Sequence, residues 1–337
     1  MNMRLTHKIT KRDCVPSRIA ARAVAAALLL AALPAYGQEY PAKPVRIVVG
    51  FAVGGPTDLV ARAFADYAGR AMKQPFIVDN KPGANTILAA QTVADAAADG
   101  YTLLFGATNH TMIPALYSKR VKFDAVGSFR PICSVASSAT ALVVGPAPAP
   151  RSLQAFLDAA RKSPGKITVG SPGVGSSGHF AAEMFSRATS ISLNHIPYKG
   201  AAPVVTDLMG GQVDSSVATL GSVLPQLRGG KLTALAVASS KRSSFLPEVP
   251  TFAEAGGGDF SADAWYGVLA PNGVPPAVAN TLERLARDFA KSEGAAHKLG
   301  ELGMESESVC GNEFETRMRK EVSTYSQIAQ DLGIQAE

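Results

Sequence analysis

A strand aimed at a helix through a glycine loop occurs twice in this chain, and the recurrence limits what the rest can build. Val45-Arg46-Ile47-Val48-Val49 has buried-strand character and runs into Gly50-Phe51-Ala52-Val53-Gly54-Gly55; Thr57 or Asp58 is placed to cap an apolar-spaced helix from Leu59. Much later Lys166-Ile167-Thr168-Val169-Gly170 repeats the plan, entering Ser171-Pro172-Gly173-Val174-Gly175-Ser176-Ser177-Gly178 before a helix at His179. A helix start reached this way offers unpaired N–H groups and the positive end of the dipole, which suit a small anion. Glycines at a turn also serve simply to reverse the chain, so one such loop defines nothing by itself.

The N-terminus has to be set aside before composition carries meaning. Arg4, Lys8, Lys11, Arg12, Arg18 and Arg22 precede an apolar run from Ala23 to Leu33, and Ala35-Tyr36-Gly37 offers small residues for cleavage. The run is shorter than the roughly 18 to 20 residues of a membrane span. Residues 1–37 therefore read as a secretory signal peptide cut near Gly37, with an uncleaved anchor as the lesser alternative. The full chain carries 33 Lys+Arg and 27 Asp+Glu; residues 1–37 hold six basic residues and one acid, leaving 27 against 26. A formal charge of +1 gives no footprint for a nucleic-acid partner.

About 300 mature residues fit two α/β lobes better than one core. Cys14 leaves with the leader; Cys133 and Cys310, far apart in sequence, could pair in an oxidising compartment, and two separate buried thiols is the preferred reading.

Beyond the first loop, Phe76 to Asn80 reads as a strand ended by Lys81-Pro82-Gly83, Thr86 to Ala98 as a helix, and Tyr101 to Gly106 as a strand followed by Asn109 and His110. This alternation implies parallel sheets with ligand-facing loops at the carboxyl ends of the strands. Ala139 to Gly145 is a strand before the proline-rich 146–150 segment, and Ser152 caps a helix from Leu153 to Lys162. Strands at 193–197, 215–220 and 232–239 and helices at 202–209 and around 223–228 follow, then two terminal helices at 277–291 and 313–332.

Gly173-Val174-Gly175-Ser176-Ser177-Gly178 matches the spacing of a dinucleotide-binding loop. That chemistry also needs an acid about twenty residues on for the ribose hydroxyls, and Leu193 to Tyr198 contains none. No G-x-S-x-G elbow is present, and His110, His179, His195 and His297 are scattered without clustered metal spacing. No cofactor, metal or catalytic residue is expected. What remains is two glycine loops that could meet across a cleft and clamp a carboxylate with backbone N–H donors, a mode suited to the hydroxyl-bearing Thr57, Ser171, Ser176 and Ser177.

The segments Phe51-Ala52-Val53-Gly54-Gly55-Pro56-Thr57-Asp58, Asp79-Asn80-Lys81-Pro82-Gly83-Ala84, Asp99-Gly100-Tyr101-Thr102-Leu103, Pro197-Tyr198-Lys199-Gly200, Asp207-Leu208-Met209-Gly210-Gly211-Gln212-Val213-Asp214 and Leu246-Pro247-Glu248-Val249-Pro250-Thr251 follow in that order. Together they make the chain resemble the extracytoplasmic receptors of tripartite tricarboxylate transporters, the Bug-type solute-binding proteins.

That resemblance implies a two-lobed periplasmic binding fold that closes like a flytrap, each lobe a mainly parallel sheet flanked by helices. Lobe 1 would take residues 38–140 and 255–337, and lobe 2 residues 141–254. The implied role is non-enzymatic: a monomer that captures a small organic carboxylate and delivers it to a membrane permease with a large and a small subunit. A secreted enzyme acting on small acids, or a sensor feeding a signalling partner, is the competing class. Carried over by motif, the ligand positions are Phe51, Ala52, Gly54, Gly55, Thr57 and Asp58, then Ser171, Gly173, Gly175, Ser176, Ser177 and His179. Asn109, Thr219 and Trp265 are expected at the cleft wall.

Three features depart from the family pattern. Relatives read Pro-Gly-Ala-Gly-Gly-Asn where this chain has Pro82-Gly83-Ala84-Asn85-Thr86-Ile87. Ala218-Thr219-Leu220 lacks the Asp or Asn common there, and Asp263 stands where small or neutral residues are common, either to meet a cationic group on the ligand or, the preferred reading, to cap a loop.

Overall fold

The computed structural model describes residues 40–118, 120–146, 148–258 and 262–334. The expected leader lies outside them. The chain opens with β1 (Val45–Val49), α1 (Pro56–Met72), β2 (Phe76–Asn80), α2 (Ile87–Ala94), β3 (Thr102–Ala107), α3 (Asn109–Tyr117) and β4 (Phe129–Ser138). It crosses at Ala139 into β5 (Thr140–Val144), α4 (Leu153–Lys162), β6 (Thr168–Ser171), α5 (Ser177–Thr189), β7 (Asn194–Pro197), α6 (Ala201–Met209), β8 (Ser215–Thr219), α7 (Leu220–Arg228) and β9 (Thr233–Val237). It then returns through β10 (Ala264–Pro271), α8 (Pro276–Lys291), α9 (Glu293–Glu301), β11 (Glu305–Cys310) and α10 (Asn312–Leu332).

These strands form two sheets, ordered β11-β4-β10-β3-β1-β2 and β7-β6-β8-β5-β9, which are the cores of a two-lobed α/β fold. Successive pairings make β1, β2, β3 and β4 run one way, with β10 and β11 reversed. In the second sheet β6, β7, β8 and β9 agree, and β5 alone is reversed. Geometry requires the reversals at the crossings. If the carboxyl ends of both sheets face one cleft, a strand entering from the opposite lobe must run away from that cleft, as β5 and β10 do.

Apolar layers cover both faces of each sheet. Helix α1 shows why its sequence is helical and where it docks: Val60, Ala61, Phe64, Ala65 and Ala68 recur on one face and are all buried. Phe64 is fully enclosed, its ring 5.6 Å from that of Phe289 and 6.2 Å from that of Phe105. Burying one such side chain contributes roughly 1.5–3 kcal/mol.

The expected elements fall near their places, with instructive exceptions. The helix read from Thr86 to Ala98 is shorter, a single 3₁₀ turn at Ala84–Thr86 leading into α2. Strands β4, β10 and β11 and helix α9 add to the expected elements. β4 and β10 are buried along nearly their whole length and so lack the alternation by which a half-exposed strand is recognised.

Cys133 and Cys310 are not separate thiols. They are cross-strand partners on β4 and β11 and form a disulfide that ties the last strand to the sheet. The covalent loop spans 177 residues. Replacing both cysteines by alanine is expected to lower stability by about 2–4 kcal/mol, read as a lower urea midpoint; reduction of the wild type should lower it similarly and leave the double variant unchanged.

Candidate functional site between the glycine loops

The first loop is held by one carboxylate. Asp58, wholly buried, accepts the Gly54 N–H at 2.8 Å, Arg62 Nε at 2.9 Å and Asn80 Nδ2 at 2.9 Å. The same Asn80 amide donates to the Phe51 carbonyl at 3.0 Å. Burial opposes the charge on Asp58, but Arg62, the Gly54 N–H and Asn80 outweigh it and hold the acid below its ordinary pKa. Asp58 therefore shapes the loop and has its oxygens turned to protein donors. Gly54 has φ +83°, a conformation in which a side chain is strained.

Helix α1 starts earlier than expected. Its N-cap is Gly55, with Pro56 in the first turn, and neither Thr57 nor Asp58 caps it. Proline suits this position because its missing N–H would be unpaired there anyway. Gly55 supplies no capping side chain to the first-turn N–H groups of α1.

The second loop is tied more tightly. Ser171 is fully buried; its Oγ donates to the Gly173 carbonyl at 3.1 Å, accepts the Gly173 N–H at 3.2 Å and lies 2.6 Å from His195 Nε2. The Gly175 N–H donates to His179 Nδ1 at 3.1 Å, and the Ser176 N–H donates to the Gly173 carbonyl at 3.1 Å. Ser176 caps α5 by accepting the His179 N–H at 3.3 Å. The donors of Gly173, Gly175 and Ser176 thus serve the loop itself, and Ser177 and Gly178 form the first turn of α5 that follows. His179 is buried with its ring turned back onto the loop, and burial, with the neighbouring His195, pushes its pKa down to about 4.

A strained turn brings the two loops together. Ala84, Asn85 and Thr86 have φ of +45°, +50° and +70°, three successive non-glycine residues in left-handed space. This is costly, most of all for a β-branched threonine. Thr86 packs so closely on Gly50 that a Cβ there would lie 2.5 Å from its own Cβ. Asn85 Nδ2 donates to the Gly175 carbonyl at 3.3 Å. The path from Gly50 through Thr86 and Asn85 to Gly175 places both glycine loops at one junction. Leu116 of α3 adds a second contact, since a Cβ on Gly175 would fall 2.0 Å from its Cδ1.

The expected wall residues divide. Asn109 is buried, donates to Thr86 Oγ1 at 2.9 Å and supports the strained turn. Thr219 precedes α7, its Oγ1 3.0 Å from the Ser222 hydroxyl. Trp265 is not on an open wall. It has no exposed surface, its ring meets Phe314 edge-on, and Nε1 donates to Glu321 at 2.8 Å. The contributions of Asn85, Leu116 and His195 were not evident from the sequence. Asn85-Thr86 did carry a signal, occupying positions that are glycine in the family motif. Among the described residues, no three His, Cys, Asp or Glu side chains gather as a metal site.

Two mixed α/β lobes joined by crossing strands, with glycine loops meeting at the carboxyl ends of their sheets, define a periplasmic-binding-protein fold. The profile described as tripartite tricarboxylate transporter family receptor matches residues 60–334, and the chain belongs to that family. It is 33% identical to protein BugT of Bordetella pertussis over 273 residues, 81% of this chain and 84% of that protein. Among solved structures, it is similar to R. palustris Rpa4515 with adipate, at TM-score 0.83 and 30% identity, covering 88% of this chain and 100% of that one. The periplasmic binding protein BugD gives TM-score 0.80, 30% identity and coverage of 88% and 100%.

Proposed function

We propose that this receptor captures a small organic carboxylate between its lobes and delivers it to a membrane permease, working as a monomer and leaving the ligand unchanged. The observation that carries this reading is that the turn packed on Gly50 of the first loop bonds Gly175 of the second through Asn85, so the loops leading into α1 of one lobe and α5 of the other lie at one junction. Two positive helix ends opposed across a cleft favour an anion without any arginine. The N–H groups of Thr57, Asp58, Ser177 and Gly178 are the direct donors. Phe51, Ala52, Gly54 and Gly55 allow close approach, and Ser171, Gly173, Gly175, Ser176 and His179 hold the opposing loop. A relative with adipate bound supports a dicarboxylate as the first class to test.

The mature chain begins after Gly37, lobe 1 comprises 38–140 with 255–337, and lobe 2 comprises 141–254. Hinge motion at the crossings opens and closes the cleft. The permease is the large-and-small-subunit type that the family serves.

The test is a thermal-shift screen of the mature protein with mono-, di- and tricarboxylates, followed by recovery of each hit. A receptor gains RT ln(1 + [L]/Kd), roughly 2.7 kcal/mol at a hundredfold excess over Kd, and returns the ligand intact. Consumption of the hits during incubation would establish an enzyme instead.

A further inference from the structure

His179 and His195 are stacked, their ring centroids 3.9 Å apart and their planes 11° from parallel. They come from different elements, the first turn of α5 and the middle of β7, and each is bonded to a different part of the same loop. His179 Nδ1 accepts the Gly175 N–H, and His195 Nε2 meets the Ser171 hydroxyl that in turn brackets Gly173 through both its N–H and its carbonyl. We infer that the stacked, uncharged His179–His195 pair is the positioning device of the second glycine loop, and that one proton on the pair releases the loop. That this loop receives a carboxylate is the reading proposed above; the inference concerns what sets the loop's shape.

The chemistry follows from the acceptor. Nδ1 of His179 can take the Gly175 N–H only while it is unprotonated, so the ring must carry its hydrogen on Nε2, toward Glu183 Oε1 at 3.8 Å. Protonation turns Nδ1 into a donor facing another donor, and it places a charge against the second ring. The titratable groups facing His179 are His195 across the stack and Glu183 one turn along α5. Burial lowers the pKa of His179 to about 4 and also lowers that of His195, and burial raises that of Glu183. A Glu183 whose pKa is raised by burial offers less countercharge in acid than an exposed carboxylate would. Because the folded-state value of His179 is depressed, the neutral arrangement contributes fully above the unfolded imidazole value of about 6.5 and is lost as pH falls through about 4.

The experiment is nitrogen NMR of the histidine rings and the loop amides in the ligand-free mature protein, titrated from neutral pH through about 4 to the acid plateau. His179 is expected to hold an unprotonated Nδ1 at neutral pH, and the Gly175 amide to shift with the same midpoint as that ring. In His179→Asn, where Oδ1 replaces the acceptor without a titrating group, the Gly175 shift with pH should vanish. His195→Phe keeps a stacked ring but cannot bond Ser171, so it should move the Ser171 and Gly173 amides at neutral pH. The inference is overturned if His179 titrates near the ordinary imidazole value with Gly175 unaffected, if the Gly175 response survives in His179→Asn, or if Ser171 and Gly173 are unmoved in His195→Phe. These readouts need no ligand. A carboxylate panel that binds nothing at neutral pH would instead overturn the proposed function.

Discussion

Gly175→Val is expected to abolish carboxylate capture, with affinity falling at least about a hundredfold, or roughly 2.7 kcal/mol. Two costs meet at this residue. Its φ of +75° is hostile to a β-branched side chain, and its Cβ would lie 2.0 Å from Leu116 Cδ1 and 3.2 Å from Asn85 Nδ2. Leu116 and Asn85 belong to the first lobe, so the new side chain acts as a wedge between lobes as well as a distortion of the loop. Circular dichroism should show secondary structure retained, and small-angle scattering a larger radius of gyration. Gly55→Val is the informative contrast. That residue has φ −76° and its Cβ would meet only the Ala52 carbonyl, at 3.6 Å, so the side chain fits the unliganded protein. Lost binding in Gly55→Val therefore reports blocked approach of the ligand alone. Unchanged affinity in both variants would remove the two-loop clamp.

A loss of stability comparable to that of the disulfide is expected from the single substitution Arg317→Met. Arg317 on α10 pairs with Glu307 of β11 at 2.8 Å and with Glu321 at 3.0 Å, all three being largely withdrawn from solvent. Glu321 also accepts Trp265 Nε1 at 2.8 Å and the Thr111 hydroxyl at 2.9 Å, and Glu307 accepts the Ser134 hydroxyl. Removing the one cation leaves two carboxylates close together with little water. Breaking such a network from one side costs on the order of 3 kcal/mol, more than the network itself contributes over an apolar replacement. The measurement is the urea midpoint of Arg317→Met against Glu321→Gln, which keeps an acceptor for Trp265 and Thr111 and should cost less. Equal midpoints for wild type and Arg317→Met would show that Glu307 and Glu321 take up protons or water without penalty.

Much of the fold was legible because the βα units of both lobes are periodic and punctuated. Ser152 capping Leu153–Lys162 was readable to the residue, since a serine before an amphipathic run leaves few alternatives. The crossing strands were harder. Buried β4 and β10 offer no alternation, and their partners lie far off in sequence, so nothing local announces them. The disulfide could be named as a possibility but not decided, for the same reason: only the pairing of β4 with β11 sets Cys133 opposite Cys310.

The site was half legible. Glycine and hydroxyl residues marked both loops, but which donors a loop spends on itself depends on side chains arriving from elsewhere. Asp58 could be read as part of its loop, as a cap or a ligand position, because it stands at the helix start. His195 could not, being one residue in a short strand whose Ser171 contact arises only from sheet order. Trp265 is fully enclosed, and its indole donates to the half-buried Glu321, fifty-six residues later, a partner no local pattern announces.

The interleaving of the chain also sets the order in which the molecule can be finished. The second sheet has all its strands once residue 237 has been supplied, whereas the first sheet waits for β10 and then for β11, ending at Cys310. A chain delivered from its N-terminus, by a ribosome or through a membrane pore, must carry β1 to β4 as an unfinished half while the other lobe matures inside it. The covalent tie between Cys133 and Cys310 then works as the closing stitch, available only after nearly the whole polypeptide has arrived.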